Sequence, residues 1–154
     1  MKNLCGKCNV CCTAYRIDKK EIFWKDGDKA ARETCEKLVD GKCSIYNKRP
    51  HTCAKFECWW LQLSKLIADF SEEFRPDNLK LVVSTYYYED TDKFAFKIKE
   101  LEKGRLNFDN MDPILNRFLQ VLFGVLNQQK GEGQVIIYRF GEKKGHPLKQ
   151  NIGG

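Results

Sequence analysis

Histidine is scarce in this chain: His51 and His146 are the only two among 154 residues. A Ser-His-Asp arrangement therefore has little to build on, and any metal site must draw on other donors. There is no Gly-rich phosphate loop and no dinucleotide fingerprint, which removes the common nucleotide-binding architectures. No apolar run approaches the ~18 residues that a transmembrane helix needs, so no membrane partner is expected. The opening residues, Met1-Lys2-Asn3-Leu4-Cys5, have no apolar stretch followed by a small-residue cleavage site. The expectation is a cytoplasmic protein in a reducing compartment. Internal repeats and low-complexity segments are absent, and residues 59–154 contain no cysteine.

What the second part lacks, the first part has in excess. Eight cysteines lie between Cys5 and Cys58. At 42% hydrophobic and 31% charged residues, the composition is that of a folded globular chain. The length fits one domain, or a compact domain with an appendage. Such a chain can bury a core without covalent staples, so the cysteines need a chemical reason. In a reducing compartment, clustered cysteines bind metal or do redox chemistry more often than they pair as disulfides.

The spacing points the same way. Cys5, Cys8, Cys11 and Cys12 form Cys-x2-Cys-x2-Cys-Cys, and Cys35, Cys43, Cys53 and Cys58 follow. A Cys-x2-Cys turn lets two thiolates face one ion. Four thiolates at ~2.3 Å around zinc are the simplest product. The run Cys-x2-Cys-x2-Cys also serves iron–sulfur clusters. The vicinal Cys11 and Cys12 point in different directions, so their sulfurs serve two centres, or one binds while the other packs or reacts. All eight cysteines are candidate metal ligands. Two plainer readings stand beside this one: buried cysteines acting as small hydrophobes, most of all Cys35 and Cys58, or a disulfide framework.

Cys5-x2-Cys8-x2-Cys11-Cys12 is followed by Cys35, then Gly41-Lys42-Cys43-Ser44-Ile45-Tyr46, then Arg49-Pro50, Cys53 and Phe56. This pattern resembles the cysteine-cluster family of zinc- or iron-chelating domains, the YkgJ-type (CxxCxxCC) proteins. The resemblance covers roughly residues 5–60. It implies metal binding by the shared cysteines, in a family whose reaction is mostly unassigned. Some relatives are linked to methylation of flagellin lysines, which implies a modifying role as one alternative. The chain departs from the pattern at Ala54, where an arginine is common, at Glu57, where a proline is common, and at Asn9-Val10, where glycine is frequent. The ligands are intact.

Pro50 fixes its own φ and pushes Arg49 toward extended geometry, giving the Tyr46–Cys53 loop a set shape. Arg49 is placed to donate to the sulfurs or to a carboxylate. Tyr46 is expected to pack over the loop. For His51 a supporting or solvent-facing role is expected, since thiolates are in surplus. The formal charge is +6, and residues 1–70 hold 14 Lys+Arg against 9 Asp+Glu, whereas residues 71–154 hold 13 against 12. The surplus thus accompanies the cysteines and reads as counter-charge for thiolates rather than as a nucleic-acid footprint.

The remainder reads as scaffold. Asp18 and Glu21 resemble a capping box opening a helix over 19–25, broken by Asp26-Gly27-Asp28, with a second short helix over 28–36. Helical spacing of Trp59, Trp60, Leu63, Leu66, Ile67 and Phe70 predicts a helix over 57–70 with Cys58 in its first turn. The two tryptophans are read as core, with shielding of a metal site as the sharper alternative. Phe74–Asn78 is a turn and the expected seam. Strands follow over 79–88 and 93–101, then a helix from Asp112-Pro113 to about Gln129, then a strand over 134–140. The fold class is α+β: a cysteine-rich, metal-organised N-terminal region (1–72) with short helices, a β-β-α-β region with a small antiparallel sheet (73–141), and a polar tail (142–154). Functionally, the chain reads as a protein holding zinc or iron, an iron–sulfur cluster included, through cysteine thiolates, with a protein or small molecule as partner. The alternatives are an iron-dependent redox or protein-modifying enzyme, and a zinc-organised nucleic-acid-binding module using Tyr86-Tyr87-Tyr88 for stacking. Nucleic acid is the less favoured partner.

Overall fold

The Cys-x2-Cys spacing folds as a tight turn. In the computed structural model, residues 5–17, 29–91, 93–128 and 133–148 are described. The Cys8 amide donates to the Cys5 carbonyl at 2.9 Å, and Gly6 takes φ +58° inside this turn. A one-turn helix, α1 (Cys11–Ala14), follows directly. The expected helix over 19–25 lies outside the described residues. The expected helix over 28–36 is not formed: Lys29 pairs with Ile17 in an antiparallel bridge, and Arg32 adopts φ +67°. The Lys29 backbone groups are spent on Ile17, at 3.0 and 2.9 Å, and are lost to a helix.

Next comes a two-residue hairpin, β1 (Leu38–Val39) with β2 (Lys42–Cys43). Its turn is Asp40-Gly41, both at positive φ (49° and 72°), the pairing that a two-residue antiparallel turn favours. The register sets Cys43 opposite Leu38. A 3-10 turn over Tyr46–Lys48 and a short helix, α2 (His51–Lys55), complete this part. The chain divides into two compact units between Glu57 and Cys58. The turn at Phe74–Asn78 lies inside the second unit.

The second unit begins with α3 (Trp59–Leu66), with Cys58 at its N-cap position. It is shorter than the 57–70 expected, because Ile67 is extended and Asp69 takes positive φ. A 3-10 turn (Glu72–Phe74) and α4 (Pro76–Leu79) lead into β3 (Leu81–Tyr88) and β4 (Lys93–Glu100). These pair antiparallel with Phe96 opposite Thr85. Phe96 and Ile98 are buried and Lys93 is exposed, but on the face of Lys93 Ala95 is buried and Lys97 and Lys99 are half-buried, so that face is only partly open to water. Helix α5 (Pro113–Gln128) starts where Asp112 Oδ1 accepts the Leu115 amide at 2.8 Å. Its stripe of Leu115, Phe118, Leu119, Leu122 and Leu126 is buried.

The strand after α5, β5 (Gly133–Tyr138), pairs with β4 in parallel. The sheet is therefore mixed, where an antiparallel one was expected. A 16-residue helix is ~24 Å long, enough to carry the chain back to the start of β4, so the next strand runs the same way. A short β6 (His146–Pro147) closes the order β3-β4-β5-β6. It pairs with β5 inside the stretch expected to be polar tail. Gly133 lets β5 approach α5: a Cβ there would press on the Leu126 side chain. The core of this unit gathers Trp59, Phe96, Phe118, Leu122 and Val135, among others. Trp59 makes edge contacts with Phe96 and Phe118 at 5.2 and 5.6 Å, so the tryptophans are core. Among the described residues no helix is long and apolar enough to cross a membrane.

One charge is buried in this core. Glu100 is 1% exposed. Its Oε1 accepts the Leu106 amide at 2.8 Å and Arg139 Nη1 at 3.1 Å, and its Oε2 accepts the Phe140 amide at 2.9 Å. The carboxylate thus ties β4 to the loop before α5 and to the end of β5. Removing it takes an acceptor from two amides and from the Arg139 guanidinium, which keeps the Leu106 carbonyl. We predict that Glu100→Ala costs the second unit about 3 kcal/mol, read by urea unfolding followed on Trp59 and Trp60 fluorescence. A loss below ~1 kcal/mol, the median worth of a surface pair, would mean that the buried clamp is not a major restraint.

Candidate metal centre

Seven cysteines, separated by up to 48 positions in sequence, line one cavity of about 230 Å³ in the first unit. They are Cys5, Cys8, Cys11, Cys12, Cys35, Cys43 and Cys53. The opening turn and α1 bring the first four. Cys35 is tied in because its amide donates to the Cys12 carbonyl at 2.9 Å. The hairpin continues from there, with the Leu38 amide on the Cys35 carbonyl at 3.0 Å and the Ser44 amide on the Lys37 carbonyl at 2.8 Å. Helix α2 delivers Cys53. The eighth cysteine, Cys58, stands at the N-cap of α3 in the second unit and packs against that unit's core. None of the eight forms a disulfide.

Among the described residues no Asp, Glu or His lines the cavity, whereas Arg16, Lys37, Lys42 and Arg49 do. The donor set is uniformly soft and its surroundings are cationic, which suits a thiophilic ion. Among the described residues, no three His, Cys, Asp or Glu side chains stand close enough around a single point to hold a metal ion. The thiols converge on a cavity rather than on a point, and ligation requires their side chains to turn inward.

The cations are held in place by the fold. Arg49 Nε donates to the Tyr46 carbonyl at 2.8 Å, and its guanidinium lies over the Tyr46 ring at 3.9 Å. Pro50 is buried and keeps Arg49 extended at ψ 148°. Tyr46 does pack on this loop. His51 is exposed at the start of α2 and does not line the cavity. Lys29, unremarkable in the sequence, is 4% exposed. Its ammonium donates to the carbonyls of Tyr15 at 2.7 Å, Ala30 at 3.1 Å and Thr13 at 3.4 Å. Burial lowers its pKa, while Cys35, Glu33, Cys12 and Cys53 act to hold its charge. No sequence signal separates Lys29 from its many neighbouring lysines, since its burial depends on the bridge to Ile17.

The vicinal pair is electrostatically unequal. Cys11 donates its thiol hydrogen to Cys12, which holds the Cys11 proton tightly; burial and the charges of Cys12, Cys5 and Cys8 add to this. The same hydrogen bond, offset by burial and helped by Lys29 and Arg49, lowers Cys12 to about 7. The two sulfurs share one proton near neutrality, with the thiolate on Cys12. Cys35 and Cys53 are pushed up, chiefly by burial.

Comparison with protein-family models, with curated proteins and with solved structures gives no match.

The thiolate is the nucleophile in alkylation. In metal-free protein at limiting iodoacetamide, Cys12 is expected to react ahead of Cys35 and Cys53, with a rate that rises through pH about 7. Peptide mass mapping across pH checks this. A Cys12 midpoint at or above the ordinary thiol value of ~8.5 would contradict the assigned proton sharing.

Proposed function

We propose that this protein binds zinc or iron through the cysteine thiolates of its first unit. The observation that carries the reading is a contrast. Within the first unit the buried apolar side chains among the described residues are Ala14, Ile17, Cys35 and Pro50, while the second unit buries a full sheet-and-helix core. With so few apolar side chains buried among its described residues, a small unit is one in which another source of folding free energy counts. Disulfides do not supply it. Thiols gathered on one cavity offer the other common source, a bound metal. The resemblance of Cys5–Phe56 to zinc- or iron-chelating cysteine-cluster domains supports the same reading.

Cys5, Cys8, Cys11, Cys12, Cys35, Cys43 and Cys53 would hold the metal. As a structural site it would supply folding energy, on the order of 10 kcal/mol for zinc at neutral pH; an iron centre would add redox chemistry. The chain's own groups do the rest. Arg49 and Lys29 offset thiolate charge at Cys12. Lys29 also ties the Thr13–Tyr15 backbone to Ala30, which holds α1 in place. A cytoplasmic location would keep the thiols reduced and ready for the metal.

Elemental analysis of anaerobically purified protein tests it. Stoichiometric zinc or iron is expected. Cys8→Ser or Cys43→Ser should lower metal content and thermal stability together, and Cys58→Ser should lower neither by much. Full metal content in the first two variants would remove those residues from the ligand set, and metal-free wild-type protein would end the proposal.

A further inference from the structure

Seven donors are one too few for two separate tetrahedral ions and three too many for one. They suffice for two ions that share a single sulfur. The cavity has the room: at about 230 Å³ it exceeds several-fold the ~30 Å³ that one water occupies in the liquid, so it is not shaped around a single ion.

The grouping of the sulfurs singles out one of them. Cys11 lies within electrostatic reach of Cys5, Cys8 and Cys12. Cys53 lies within reach of Cys12, Cys35 and Cys43, and Cys35 within reach of Cys12 and Cys43. Two sets of four emerge around Cys11 and around Cys35 and Cys53, and Cys12 is common to both. The backbone agrees. Cys12 follows Cys11 in α1, where consecutive side chains diverge by ~100°, and its carbonyl receives the Cys35 amide at 2.9 Å. The first set is thus local, built on one turn and one helix. The second is long-range, assembled from the residue before the hairpin, the hairpin and α2, and it is joined to the first at Cys12.

Resting on the metal-binding reading above, we infer that the first unit builds a two-metal thiolate centre in which Cys12 bridges an ion held by Cys5, Cys8 and Cys11 to a second held by Cys35, Cys43 and Cys53. Each ion reaches four sulfurs with no carboxylate, histidine or water. Loading leaves all seven sulfurs as thiolates and releases to solvent the protons that the metal-free protein still holds on them. The assembled centre is anionic, and Arg16, Lys37, Lys42 and Arg49 around the cavity offset that charge. Cys58 is outside the centre.

Cadmium-113 tests this directly, because a shared sulfur transmits scalar coupling between the two nuclei. Metal-free full-length protein reconstituted with ¹¹³Cd²⁺ is expected to bind two ions per chain. It should give two resonances in the all-thiolate region, each split by the other. Cys58→Ala should leave both signals and their coupling in place, and Cys12→Ala should abolish the coupling. The wild-type coupling stands as the test even where Cys12→Ala fails to fold. Two uncoupled signals, a single bound ion, or a native four-iron cluster with sulfide would each overturn the bridge while leaving metal binding intact. Failure to bind any cadmium, zinc or iron would overturn both.

Discussion

Among its described residues the first unit gathers seven thiols on one cavity and buries few apolar side chains, and that gathering of ionisable groups is the constraint its other interactions answer. Bringing seven ionisable sulfurs together is unfavourable in itself, because each thiolate raises the cost of the next. The cavity answers with cations and with proton sharing. Arg49 is fixed on Tyr46, Lys29 is fixed on three carbonyls, and Cys11 keeps its proton so that Cys12 can lose its own. These arrangements reduce repulsion, but they do not supply the attraction that apolar burial supplies elsewhere. A bound thiophilic metal would supply it, which would make metal binding and folding of this unit a single event.

The second unit rests on different physics. Its sheet, α3 and α5 bury aromatic and aliphatic side chains in contact with one another, and Glu100 pins β4, the following loop and β5 together. None of that depends on thiol chemistry. The border at Glu57–Cys58 separates two sets of contacts and, on the proposed metal-binding reading, would separate two sources of stability as well. Cys58 illustrates the point: though it is close in sequence to Cys53, it sits at the N-cap of α3 and packs on apolar neighbours.

Much of this was legible in the residues. Runs of strand-forming residues placed β3 and β4, Asp112-Pro113 placed the start of α5, and the cysteine spacing pointed to a gathered site. The parallel pairing of β4 with β5 was not legible, because periodicity tells a strand from a helix but not its direction. The Asp40-Gly41 pair carries a hairpin signal, yet the two-residue strands beside it are too short to show alternation, so the place of Cys43 opposite Leu38 emerges only in the fold. Lys29 was hidden for a different reason. Its role comes from one long-range bridge to Ile17, and the same bridge removes the helix expected over 28–36. That Cys58 packs with the second unit was not legible either, because sequence proximity to Cys53 says nothing about which core a side chain joins.

If metal holds the first unit together and apolar burial holds the second, the two must respond differently when metal is removed. Amide hydrogen exchange, measured on the purified chain before and after complete removal of metal by a chelator, tests this most directly. The amides of Cys8, Cys12, Lys29, Cys35 and Ser44 are expected to lose protection, while those in β3, β4, β5 and α5 keep theirs. Unchanged protection at Cys12, Lys29 and Cys35 after the metal is gone would contradict a metal-dependent fold.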